Sequence, residues 1–575
     1  MSRILKITIS FILIIMIICM SMTFVFAYET DESDTSKNID IAQVKAPEVI
    51  SDDGEIIKVD KTAMYGDALD IKASAIPDFY SSKDLGYTTE IKDQYKTGCC
   101  WAYSSSSMLE TFLNKNKMYE EKVSPLHMAY RQSSVDDKGW IARDGFLNSG
   151  GNATISMGYL VSPIGSRKSY LEDLNVMDIN KKITEELENE YRNTAKEFDE
   201  NSDREYVVDS IALLNPDDKD TIKQAIMNYG SVAASFDVSY DNFSDNYYAY
   251  YAKEKPSEED AGGHNVLVVG WDDNFSKENF VEKPQNDGAW ICQNSWGDSV
   301  GDEGYFYISY EDVTLFDPDV DYVWTITKAH KISSFENYYT LNENCGVMTD
   351  HASYNNLRII DFCNKYTFGK DEVLEKVSFE SPSVGAEYTI FVIPSKNDGT
   401  PSKENWVEIG RGRILHSGYT SADVKDVDVS EKTCFIGIRL ANSKPNIKMG
   451  ITTDVDNYFI HTNGNSKTSF TRKTDQDFYE LSNPDRDNAY WIINAQTTKA
   501  YRYGDADFDR VVTINDASFI QKLIAHYIDD ETLSEGQRNG SDSNNDKVIN
   551  IVDATLIQRY LADLQTNANI NQYVK

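Results

Sequence analysis

Between Gln94 and Ser104 the chain reads QYKTGCCWAYS, a cysteine followed directly by tryptophan with a glutamine six residues ahead. These residue types suit acyl chemistry. If a helix runs from Trp101 to Leu109, Cys100 lies in its first turn, where unsatisfied N–H groups and the positive dipole end favour a thiolate. Gln94 can reach back to donate a hydrogen bond to the oxyanion formed on attack. The alternative is a buried structural cysteine at the head of a core helix. A base stands in AGGHNVLVVGWDDN, where His264 precedes an apolar run that reads as a buried strand. Further on, in WICQNSWGDSVGDEGYFYISY, Asn294 can hold the imidazole through one ring nitrogen, and Trp296 can shield that bond from water. A lone histidine at a strand start is otherwise a satisfied structural residue. The ordered set of Gln94, Cys100, His264 and Asn294 is what argues for chemistry.

Several elements must position these groups. MLETFLNKNK continues the cysteine helix, DKDTIKQAIMNYG reads as a short amphipathic helix ended by Gly230, and SVAASFDV reads as a strand leading toward His264. The stretch 171–210 is highly charged and reads as an insertion, partly helical at KKITEELENEYRNTAKEFDE. The pattern is a helical half carrying the nucleophile and a β-rich half carrying the base, with a cleft between them. Over about 76–328 it resembles the papain-like cysteine peptidases, with IPDFYSSKDLGYTTEIKDQ similar to that family's mature N-terminal segment. The resemblance implies that Cys100, His264, Asn294 and Gln94 are nucleophile, base, orienting amide and oxyanion donor. It also implies that Gly150 and Gly151 of NSGGN, with Trp296, line the substrate. The sequence departs from the family at Tyr95, where glycine is usual, and at Thr97 and Asn148, which stand where a disulfide is common. Gly263 replaces the Asp common before the His in plant members, and Cys99 is an unusual neighbour that can compete or oxidise.

Residues 1–27 combine Arg3 and Lys6 with an apolar run ending in VFA, which reads as a secretory signal; an uncleaved membrane anchor stays open. The polar, acidic 28–75 reads as a pro-segment or linker. With 575 residues several domains are expected, and a net charge of −37 argues against nucleic acid or an anionic membrane as partner. Six cysteines remain after the signal, and no pairing follows from their positions. The expected organisation is a two-lobed α+β peptidase at 76–330, an all-β sandwich at 331–500 and a small α domain at 501–575.

The sandwich is expected because runs such as VLEKVSFES, AEYTIFVIP, TCFIGIRLA and YWIINAQTT alternate with turn clusters. It resembles lectin-like domains that follow some bacterial papain-like peptidases. Tyr338, Tyr339, Tyr458 and Tyr490 are candidates for stacking on a carbohydrate or cell-wall ligand, with ordinary sheet aromatics as the alternative. The last segment repeats itself: GDADFDRVVTINDASFIQKLIAHY is echoed by SDSNNDKVINIVDATLIQRYLAD. Oxygens of Asp505, Asp507, Asp509, Thr513 and Asp516, with the Val511 carbonyl, can wrap one calcium ion. Asp542, Asn544, Asp546, the Val548 carbonyl, Asn550 and Asp553 can wrap a second. Arg510 and Lys547 occupy the position where such loops usually carry glycine, and neither loop is expected to have a preceding helix.

This duplicated loop-helix resembles a dockerin, the module that docks enzymes onto cohesin domains of a scaffold protein. Ile514, Asn515, Gln521, Lys522, Ile551, Val552, Gln558 and Arg559 would be the cohesin-binding positions. The expected protein is a secreted, cellulosome-type cysteine endopeptidase acting on polypeptide with no catalytic cofactor. Two alternatives stay open: a scaffold-borne binding or adhesion module with a weak papain-like body, and an enzyme that transfers the acyl group to an amine.

Overall fold

In this computed structural model the described residues lie mainly between 75 and 572, with a short strand pair at Val49–Ile50 and Ile56–Ile57 ahead of them. The longer stretches outside the description are 133–145, 169–183, 342–349, 454–467 and 482–488, and shorter ones include 148–149 and 509–510. The expected signal, Asn148, Cys345, Tyr458, Asp509 and Arg510 therefore lie outside the described residues. No helix among the described residues is long and apolar enough to cross a membrane.

The cysteine helix runs Cys100–Lys115, and every residue from Trp101 to Leu113 is buried. Four consecutive serines, Ser104 to Ser107, are weak helix formers, so this helix owes its stability to packing on all sides. Around it lie the helices Pro125–Gln132 and Ala153–Val161. The expected helix before Gly230 is Lys219–Tyr229; the Asp218 carboxylate caps its start and Gly230 ends it at φ 101°. From the charged insertion come the helix Glu185–Asn201 and the fully buried strand Tyr206–Leu213.

Twelve strands of the described residues form one sheet. Its peptidase side carries Val232–Val238, Gly262–Asp272, Ala289–Gln293 and Tyr305–Ser309 in neighbouring, mostly antiparallel order. Its other side carries Ser417–Asp428, Glu372–Ser381 and Ile493–Lys499 from the region expected to be a separate sandwich. The two join where Ser417, Gly418 and Tyr419 pair with Leu213, Ala212 and Ile211. A six-stranded sheet packs on this extension: Ile360, Phe362, Ile390 and Ile438 share one core with Leu374, Phe379 and Ile493. The β-rich reading of the region thus holds, with one of its layers shared with the peptidase half.

The C-terminal segment is helical, with Ile514–Ile524, Glu535–Ser541 and Ile551–Leu561. Glu535–Ser541 ends just before the second acidic loop, so that loop does have a short preceding helix, contrary to expectation. Its sequence EGQRNGS holds two glycines and little periodicity, and its formation depends on packing, with Gly540 against the Asp505 backbone. Tyr503 exchanges backbone hydrogen bonds with Asn571 and Gln572, closing the segment at its two ends.

Candidate active site

Cys100 is the first residue of its helix, and His264 sits near the start of the strand Gly262–Asp272 that packs beside it. Asn294 follows the neighbouring strand Ala289–Gln293. His264 Nε2 lies 2.9 Å from Asn294 Oδ1. The same Oδ1 accepts the Ser295 backbone N–H at 2.8 Å, which identifies that atom as oxygen. Nε2 must therefore carry the proton, leaving the Nδ1 lone pair as the proton acceptor. Trp296 stacks on the imidazole with centroids 4.7 Å apart, and Phe236 meets it edge-on at 5.8 Å. These rings cover the bond as expected.

Burial dominates the electrostatics. It pushes the Cys100 thiol up; the backbone N–H groups of Asn265, Trp101 and Cys100 itself pull it down, and the Asp321 carboxylate adds to the rise. Burial also lowers His264 to about 4, with Asn294 pulling the other way. The sequence predicts a resting thiolate from the helix terminus alone. In the folded site desolvation acts on the half-buried thiol against those N–H groups.

Gln94 is buried against the same turn. Its Nε2 donates to the Thr97 carbonyl at 2.8 Å, and its Oε1 accepts from the Ser295 hydroxyl at 2.5 Å. A carbonyl can only accept, so the amide orientation is fixed and one N–H remains beyond that bond. Ser295 thus touches both Gln94 and, through its own N–H, Asn294. Sequence reasoning missed it because the contact spans 201 residues. Two further partners emerge only in three dimensions. The Asp321 carboxylate accepts from the Ala153 N–H and the Ser235 hydroxyl, and Ser235 accepts from the Asn265 side chain.

The departures acquire causes. Tyr95 adopts φ 51°, the left-handed conformation that a glycine takes freely. Thr97 donates its hydroxyl to the Gln94 carbonyl at 2.7 Å. Cys99 is fully buried, with its thiol directed at the carbonyls of Phe146 and Leu147 at 3.6 and 3.4 Å, away from competition in the cleft. Gly151 lies against the indole of Trp101; an added Cβ would come within 2.4 Å of the ring. Gly150 takes φ 68° beside it.

In the C-terminal loops, carboxylate oxygens of Asp505, Asp507 and Asp516 lie within 4.8 Å of one another, with Asp505 and Asp516 buried. That donor set fits a hard cation. The second loop is folded around Asp542, whose two oxygens accept from the backbone of Asp546 and Lys547, while a buried Asp553 oxygen is unpartnered. Lys547 takes φ 66°, doing at a cost what glycine does freely. Thr513 and Asn550 cap the following helices in capping boxes with Asp516 and Asp553. The eight expected docking residues, from Ile514 to Arg559, are all exposed. The sugar-stacking aromatics fare differently. Tyr490 is 3% exposed, the Tyr339 hydroxyl donates to Glu372, and Tyr338 meets His330, so these three are not a free stacking platform.

Comparison with known proteins aligns with these regions. Residues 165–316 match the papain family cysteine protease description, 339–497 the lectin like domain and 503–562 the dockerin type I domain. The first match contains His264 and Asn294 and begins after Cys100. Mouse cathepsin K is 27% identical over 233 residues, 40% of this chain and 59% of its own length. Mouse cathepsin S is 25% identical, with 58% of its length covered. The chain thus spans under two thirds of these relatives. A structure of the cysteine protease and lectin-like domains of Cwp84, a surface layer associated protein of Clostridium difficile, superposes with a TM-score of 0.64 at 25% identity. It covers 76% of this chain and 94% of that one. Clostridial Cwp84 after propeptide cleavage gives 0.63 at 26% identity, covering 73% and 99%.

Proposed function

From a chain that carries a papain family cysteine protease domain, a lectin like domain and a dockerin type I domain, we propose a secreted cysteine endopeptidase tethered to a cohesin-bearing scaffold. Cys100 Sγ attacks the scissile carbonyl carbon once its proton has passed to Nδ1 of His264. The attacking form is the Cys100 thiolate paired with protonated His264. The oxyanion takes hydrogen bonds from Gln94 Nε2 and the Cys100 backbone N–H. His264 returns the proton to the leaving amine, and water then hydrolyses the thioester. Asn294 keeps the imidazole in one tautomer without adding charge.

The observation that carries this reading is the Asn294 oxygen shared between His264 and the Ser295 N–H. The dockerin type I segment supports a cohesin partner, reached through the exposed Ile514, Asn515, Gln521 and Lys522 and their counterparts Ile551, Val552, Gln558 and Arg559. Two calcium ions would be held by the acidic loops, neutralising carboxylates that otherwise repel across each turn. A cellulosome-type complex is the assembly we assign, outside the cell or at its surface.

Labelling with a peptidyl epoxide tests the peptidase. Wild type and Cys99→Ala are expected to label, and Cys100→Ala is expected not to. An unlabelled wild type under reducing conditions would shift the assignment to a binding module. Mass spectrometry of products separates hydrolysis from acyl transfer, since only transfer yields crosslinked peptide.

A further inference from the structure

The helix Glu185–Asn201 lies in the charged stretch that reads as an insertion, yet it turns carboxylates inward. Glu188 is 5% exposed, and its two oxygens accept from the backbone N–H groups of Phe146 and Leu147 at 2.5 and 3.2 Å. The carbonyls of the same two residues face the nucleophile turn. Leu147 O accepts from Gly98 N–H at 2.9 Å, and the Cys99 thiol reaches both carbonyls. A few residues on, Gly151 rests on the Trp101 indole, next to Cys100. The helix itself is pinned at its far end, where Asp199 meets His127, Arg131 and Arg167 at 2.9, 3.2 and 3.4 Å. One turn beyond Glu188, the Arg192 guanidinium lies over the Phe146 ring at 5.4 Å.

We propose that Glu188 is a positioning residue for the peptidase, holding the glycine edge of the cleft in register with Cys100. This rests on the peptidase reading above. A carboxylate is the one side chain of this size that accepts two N–H bonds through two oxygens; an amide offers one oxygen and turns an NH2 toward the other donor. Loss of that grip frees the 146–147 segment, so the backbone of a bound peptide no longer meets Cys100 in a fixed geometry. The thiol keeps its helix terminus, because the contacts of Gly98 and Cys99 to the two carbonyls do not pass through Glu188.

The test compares two rates at the Cys100 peptide by mass spectrometry in the full-length protein, for wild type, Glu188→Gln and the exposed Glu186→Gln. A peptidyl epoxide reads placement against the glycine edge, and iodoacetamide reads the thiol alone. Glu188→Gln is expected to slow the peptidyl probe by about tenfold or more, with iodoacetamide and Glu186→Gln unchanged. Equal slowing of both probes would show a folding role and overturn the proposal, as would no slowing of either. A wild type that fails to react with the peptidyl probe while still alkylating would overturn the peptidase reading itself, and Glu188 with it.

Discussion

The side chain of Gln94 is held at both ends of its amide, by the Thr97 carbonyl and the Ser295 hydroxyl. A donor held this way costs little reorganisation when negative charge develops beside it. Gln94→Ala is therefore expected to lower kcat by about 10²–10³-fold, and Ser295→Ala by less, since it loosens the amide without deleting it. Active-site-titrated kinetics measure both; Ser295→Ala keeps the backbone N–H that Asn294 accepts, so its loss reports on Gln94, and a loss equal to that of Gln94→Ala would mean that the amide donates nothing once the hydroxyl is gone. The four candidate site residues stand out in the sequence because their types, order and local context are each restrictive. Ser295 and Glu188 do not. Each looks like any other serine or surface glutamate until folding brings it to a partner 201 or 42 residues away.

Among the elements, the two acidic loops show how much a short motif can carry. Positions that would bind the ion also start the helices: Thr513 and Asn550 cap them, and Asp516 and Asp553 complete the boxes. Unfolding of a loop therefore releases the first turn of its helix. Chelation with EDTA is expected to lower far-UV helicity and abolish cohesin binding by the full-length protein, with calcium restoring both. Unchanged helicity after complete calcium removal would contradict this. The repeat made these loops visible in the sequence, whereas Glu535–Ser541, with its glycines, left no comparable trace. Tyr490 failed as a surface aromatic for a related reason. Strand alternation marks two faces, and which face is covered depends on the sheet packed against it.

At the scale of the molecule, three histidines set a pH dependence. Burial lowers His127, His264 and His416 to about 4. At these sites the unfolded chain binds more protons than the folded one between roughly pH 4 and 6.5, so they make stability rise with pH across that window, against the opposite pull of buried carboxyls such as Glu188 and Asp312. Acidification through the window costs up to about 3 kcal/mol per histidine, because only the unfolded chain gains the proton. Asp199, held below the usual carboxylate range despite burial by His127, Arg131 and Arg167, loses its contribution at still lower pH, in the same direction. Thermal midpoints at pH 4.5 and 7 check this; a higher midpoint at the acid end would refute it. The long-range seam where Ser417 to Tyr419 pair with Leu213 to Ile211 could not be read from either segment, because strand pairing at that separation leaves no local signature.

That seam bears on how such a protein can be assembled by recombination. A breakpoint near 330 would sever Trp324–Lys331 at its end and strip Tyr206–Leu213 of its neighbour, leaving exposed strand edges on both fragments. The acidic-loop segment is closed upon itself where Tyr503 pairs with Asn571 and Gln572, so it can be exchanged as a unit. The cassette that shuffling would preserve is peptidase plus lectin-like layer together, with the docking module as the interchangeable plug.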